Sequence, residues 1–186
     1  MRFAMMLSLL SVFFVAACQT SKSEMYTGTA GDAFEERRVV RDLKVLPVKL
    51  PKQIHGKYDQ ADLDRFYRDW PMAGARLIAD GVYEETSEEV RAMAALESPS
   101  TGHLLVLEIK YLDLGDSDSR ASSVLHNTKQ GWSHVLATGR LINAETGELV
   151  VELQFEQSSG GIAKPAFEND MANLGQELGR WLNEHR

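Results

Sequence analysis

Apolar and polar positions alternate most clearly over "HLLVLEIKYLDL", His103 to Leu114. Leu105, Leu107, Ile109 and Tyr111 fall on one side and Leu104, Val106, Glu108 and Lys110 on the other, the period-two pattern of a strand. A second alternating stretch predicts a hairpin, Trp132–Asn143 against Glu148–Gln157. Its turn, Asn143-Ala144-Glu145-Thr146-Gly147-Glu148, holds turn-forming side chains and a glycine able to take positive φ. In the second arm Leu149, Val151, Leu153 and Phe155 share one side. "DLKVLPVKL", Asp42 to Leu50, carries apolar residues on both sides, which fits a strand with some cover on each face. Pro47 has no N–H to give to a ladder, which predicts either an edge position or a donor-free side facing away from the neighbouring strand.

Four helices are predicted, three between these strands and one after them. Leu63, Phe66, Tyr67 and Trp70 form one stripe, with Asp59 or Asp62 as the cap. Pro71 is expected to break or kink that run, with a second helix from Pro71 to Asp80 stopping at Gly81. Thr86-Ser87-Glu88-Glu89 has the form of a capping box and predicts a helix through "EEVRAMAALE". At the carboxyl end Phe167, Met171, Leu174, Leu178 and Trp181 recur three and four residues apart, a strong amphipathic stripe. Ala172, Gly175 and Gly179 lie beside it and predict close approach to a sheet. This order of elements predicts an α+β fold: a two-layer α/β sandwich with a mainly antiparallel sheet of about four strands and helices on one face.

The amino terminus follows other rules. After Met1-Arg2, residues Phe3 to Ala17 carry no charge, a run too short for a comfortable spanning helix but suited to a signal peptide. It ends in Val15-Ala16-Ala17-Cys18, an aliphatic residue and two small ones before the chain's single cysteine. Those four residues resemble the bacterial lipobox, in which the thiol receives diacylglycerol and the chain is cut just before it. The resemblance implies a mature chain beginning at Cys18 and held in a membrane by acyl chains. Gln19, rather than aspartate, follows the cysteine, which under the Gram-negative sorting rule implies the outer membrane, facing the periplasm. Residues 1–17 are therefore read as a signal peptide, 18–38 as a flexible polar tether reaching about 25 Å, and 39–186 as a single domain.

Composition narrows the chemistry. The chain has 186 residues, 44% hydrophobic and 25% charged, enough for one cored domain without a disulfide or metal staple. Its formal charge of −7 argues against non-specific attraction to nucleic acid or to anionic lipid headgroups, since a net negative field repels both. With Cys18 acylated, no thiol remains for a disulfide, a nucleophile or a thiolate metal site. Histidines 55, 103, 126, 134 and 185 are scattered; a loop before the hairpin would allow His126 and His134 to approach, but no carboxylate or third histidine completes a recognisable ligand spacing, and no metal is expected. No Gly-x-Ser-x-Gly elbow occurs. "DSDSR" and "SSGG" read as turns, and Glu108, Asp116 and Asp118 fall short of a calcium loop. No catalytic residue and no cofactor are assigned. Trp70, Trp132 and Trp181 sit in apolar pattern; Trp132, at a strand start, is the first candidate for a partner surface if exposed.

The lipobox, "KVLPVKL", "HLLVLEIKYLDL" and "GRLINAETGELVVELQFE" before an amphipathic end helix together resemble bacterial envelope lipoproteins of unknown function. The architecture is similar to the α/β domains of the curli secretion lipoprotein and of the Tol system's periplasmic B protein. The resemblance implies a membrane anchor at Cys18 and an envelope protein as partner, and carries over no other functional residue. The leading expectation is a non-enzymatic binding or assembly factor. The alternatives are a small-ligand or lipid-binding module with a cavity between sheet and helices, and a hydrolase of envelope polymers using carboxylates such as Glu108 or Asp113. Palmitate labelling in cells tests the anchor: Cys18→Ser is expected to abolish incorporation, and unchanged labelling of that variant overturns the reading.

Overall fold

A computed structural model describes residues 22–30, 40–116, 132–160 and 166–185. They form seven strands and two helices in the order β1 (Lys22–Ala30), β2 (Asp42–Val45), β3 (His55–Lys57), α1 (Gln60–Glu85), β4 (Arg91–Ala94), β5 (His103–Asp116), β6 (Trp132–Asn143), β7 (Leu149–Gly160) and α2 (Ala166–Glu184). One open sheet takes them in the order β1-β7-β6-β5-β2-β4, with β3 also paired to β5. The long ladders β1–β7, β7–β6 and β6–β5 are antiparallel, and the short ones are parallel. The α+β class, the mostly antiparallel sheet and the amphipathic end helix agree with the pattern. The strand count is seven rather than about four.

The additional strands come from pairing that local pattern does not encode. Lys22–Ala30, expected as tether, lies along the free side of β7 from Lys22↔Ser158 to Ala30↔Val151, so its backbone groups find partners there. Arg91–Ala94, expected as helix, pairs in parallel with Asp42–Val45. Thr86, expected to open that helix, instead ends α1: its N–H and hydroxyl both bond the Val82 carbonyl, at 3.0 and 2.8 Å. Ser87 and Glu88 follow at φ 51° and 67°, left-handed values that stop a helix. Strand β2 is interior rather than at an edge, between β5 and β4.

Pro47 acts just past β2. Leu46 N–H donates to the Leu105 carbonyl and Lys49 N–H to that of Leu107, three residues against two, so the chain bulges over Pro47–Val48. The displaced Val48 N–H turns to the Pro71 carbonyl in α1, 2.9 Å away. Residues 42–57 thus form one interrupted parallel neighbour of β5: β2, a bridge at Lys49↔Glu108, and β3.

Helix α1 is continuous from Gln60 through both Pro71 and Gly81, where two separate helices were expected. Asp59 caps it, its carboxylate accepting from Asp62 N–H at 2.8 Å. Gly81 belongs to a crossing rather than an end. A Cβ there would lie 2.7 Å from the Ala172 carbonyl oxygen, one at Gly179 would lie 2.7 Å from Glu85 Cβ, and one at Gly175 would overlap the Ile78 carbonyl. Ala172, Gly175 and Gly179 therefore admit α1, not the sheet. Gly74 meets Met171, and Phe66 and Trp70 meet Phe167 with ring centroids 5.3 and 4.9 Å apart, so α1 and α2 run side by side in the same direction.

Both helices bury their apolar stripes on one face of the sheet. Ile78, Val82, Met171, Leu174 and Leu178 meet Leu105, Leu107, Ile109, Leu141 and Leu153 in a core where each is fully buried. At the start of α2 the Ser133 hydroxyl donates to the Asp170 carboxylate, a buried polar link between β6 and the helix.

The crossing gives a stability prediction. Gly175→Ala adds about 1 kcal/mol of helix propensity, but its methyl meets backbone that yields only if the helices part. Overpacking of that kind costs about 1–3 kcal/mol, so a net loss of about 1 kcal/mol is expected as a lower urea midpoint at unchanged slope. Gly147→Asn, at φ 73° with open space around it, is expected to leave the midpoint nearly unchanged.

Candidate functional site: the open face of the sheet

The second face of the sheet is covered by neither helix. Its composition depends on a bulge in β5. Ile109 pairs with Ala137 and Tyr111 with Leu136, so Lys110 is an extra residue. Before it, odd-numbered Leu105, Leu107 and Ile109 face the helices. After it, Leu112 is the fully buried one, and Tyr111 and Asp113 turn to the open face. Tyr111 was expected on the same side as Ile109, and the bulge reverses that. The charged positions carry the signal: Glu108 and Lys110 are even-numbered and Asp113 is odd-numbered, a change of parity that a regular strand cannot absorb.

The registers then set out five rungs across this face. Asp113, His134 and Ser158 stand at one end; next come Tyr111, Leu136, Glu156 and Glu24, then Glu108, Thr138, Gln154 and Tyr26. Val106, Arg140 and Glu152 follow, and Leu104, Ile142 and Leu149 close the series. The face grades from an apolar end through mixed charge to an end rich in aromatic and titratable side chains.

That last end has defined contacts. The His55 ring stacks on Tyr111 at 4.8 Å between centroids, and His134 meets the same ring edge-on at 5.6 Å. His134 Nε2 lies 3.3 Å from a Glu156 carboxylate oxygen, diagonally across two strands. Both partners are about two-fifths exposed, so the pair is worth well under about 1 kcal/mol. Tyr26 is 51% exposed, and its hydroxyl donates to Glu24. In the middle rungs the Lys110 ammonium donates to Glu108 at 2.7 Å. That hydrogen bond holds the Glu108 carboxyl below the usual glutamate range, aided by the charges of Lys110, Lys49 and Arg140 and opposed by partial desolvation.

Other expected residues fall elsewhere. Cys18 and His126 lie outside the described residues. So does the side chain of Trp132, whose backbone opens β6 opposite Gly160. His103 is buried at the far end of β5, and His185 stacks on the buried Trp181 at 4.7 Å. Of "SSGG", Ser158 to Gly160 are strand rather than turn. Glu108 and Asp113 share the open face, on either side of the bulge. Among the described residues no group of three or more His, Cys, Asp or Glu side chains is placed to hold a metal, and no helix is long and apolar enough to cross a membrane. The space between sheet and helices, where a ligand cavity was one alternative, is lined by the fully buried core side chains.

No protein-family model and no curated protein matches the chain. Solved structures do. The PelC dodecamer from Paraburkholderia phytofirmans is 10% identical over 86% of this chain and 97% of that one, with a TM-score of 0.46. Protein XCC0632 from Xanthomonas campestris, of the DUF330 family, is 11% identical over 78% and 85%, with a TM-score of 0.42. An uncharacterised protein is 13% identical over 79% and 88%, at 0.39. Likeness at this level transfers no family, activity or assembly to this chain.

The lowered Glu108 carboxyl has a definite sign. Its favourable contribution is present above the unfolded pKa and fades as pH falls through the folded one. Carbon-detected NMR titration is expected to place the Glu108 midpoint below that of an ordinary glutamate. Lys110→Met is expected to raise that midpoint, and an unmoved midpoint would show that Lys110 is not the cause.

Proposed function

We propose that this chain is a lipoprotein, anchored through Cys18 in the outer membrane and facing the periplasm, that binds or helps assemble an envelope protein without catalysing a reaction. The open sheet face carries this reading. It combines stacked aromatic rings, paired charges and an apolar end on a rigid ladder, and no described element covers it. Rings such as Tyr111 and Tyr26 offer large contact area at low conformational cost, and an arginine, here Arg140 on the same face between Val106 and Glu152, is a frequent anchor at protein interfaces. Mixed charge favours a protein partner over a polyanion, in keeping with the net charge of −7. The anchor rests on the lipobox Val15-Ala16-Ala17-Cys18.

Photocrosslinking in the native envelope tests the surface. A crosslinking residue at Thr138, central on the open face, is expected to give a discrete protein adduct that Arg140→Glu removes. The same residue at Arg76, exposed on α1, is expected to give none. Equal adducts from both positions, or one insensitive to Arg140→Glu, would falsify the assignment of the face.

A further inference from the structure

The distance along the chain from Cys18 to the sheet determines how the domain can sit on a bilayer. Strand β1 begins at Lys22, four residues beyond Cys18. Four residues span at most about 14 Å fully extended. Lys22 is locked in register with Ser158 of β7, and the neighbouring strand β6 begins at Trp132 opposite Gly160. The same end of the sheet receives the last residues of β5 and β3, paired as Lys57↔Asp116, and the first turns of both helices. The β6–β7 turn lies at the other end. Ser158 is nine strand positions from Leu149, about 30 Å at about 3.3 Å per residue.

We propose that the lipid headgroup surface is a direct neighbour of this end of the sheet: the protein stands end-on, with the Lys22–Ser158 corner at the bilayer and the Asn143–Gly147 turn pointing away from it. The inference rests on acylation of Cys18. With it, a leash of about 14 Å cannot bring the far turn to the surface while releasing the near corner, because that corner is part of the ladder. Both ends of the sheet carry acidic residues, and the net charge of −7 disfavours laying the long side of the domain on an anionic headgroup layer. End-on standing puts the His55–Tyr111–His134 end of the open face in the membrane-proximal half and the apolar rung of Leu104, Ile142 and Leu149 in the distal half. A partner on the open face then lies alongside the sheet, reaching down towards the bilayer, rather than on top of the domain.

The test uses the full-length acylated protein in vesicles of phosphatidylethanolamine and phosphatidylglycerol carrying a headgroup spin label. With Cys18 acylated, one added cysteine is the sole free thiol for a fluorophore. Ser158→Cys is expected to be quenched several-fold more strongly than Glu145→Cys. A flexible Gly/Ser insert of about ten residues after Thr20, with an r.m.s. reach of about 17 Å, is expected to reduce that contrast. Equal quenching at the two positions, or stronger quenching at Glu145→Cys, overturns the orientation while leaving the anchor standing. If the protein fails to float with vesicles and incorporates no palmitate at Cys18, the anchor and the orientation fall together.

Discussion

The close crossing of α1 and α2 is the contact on which the rest of the structure depends. Glycines 81, 175 and 179 leave out the side chains that would strike the facing helix at Ala172, Ile78 and Glu85. Each helix is about 10 Å wide with its side chains. Only by packing this tightly do two parallel helices share one face of the sheet and close a single core over Leu105, Leu107, Ile109 and Leu153. The consequence is asymmetry: one face of the sheet is fully used and the other is left for something else.

That other face owes its character to one extra residue. Lys110 shifts the parity of β5, places Leu112 in the core and sends Tyr111 outward between His55 and His134. A bulge of this kind bends and twists a strand as well as re-aiming its side chains. The interrupted chain from Asp42 to Lys57 follows β5 along its length, with Pro47 and Val48 taking up a further extra residue and tying the strand to α1 through the Pro71 carbonyl. One irregularity lies within β5 and the other in its parallel neighbour. The helix-facing side of β5 and its open side are therefore set by one continuous set of hydrogen bonds.

Legibility in the sequence followed the length of the pattern. The hairpin of β6 and β7, the end helix and the body of β5 are long and periodic, and each appears where expected. The failures share a cause. Arg91–Ala94 has good helix formers, yet a parallel neighbour and a left-handed stop at Ser87 and Glu88 make it a strand. Lys22–Ala30 looks polar and aperiodic, yet β7 offers it a free row of backbone groups. Pro71 and Gly81 are helix breakers by propensity, and tertiary packing carries α1 through both. The aromatic end of the open face was missed because His55, Tyr111 and His134 are far apart in the chain and only register joins them.

By itself, then, the sequence determined what depends on neighbouring residues: the lipobox resemblance at Cys18, the absence of any other thiol, the α+β class, the turn at Asn143–Gly147 and the buried stripe of α2. Those are local because a peptidase, a turn and a helix face each read only a few consecutive positions. The tertiary structure alone decided the number of strands, which helix the glycines admit, and which way Tyr111 points. Each of these turns on a register between distant segments, and a shift of one residue exchanges the two faces of a strand.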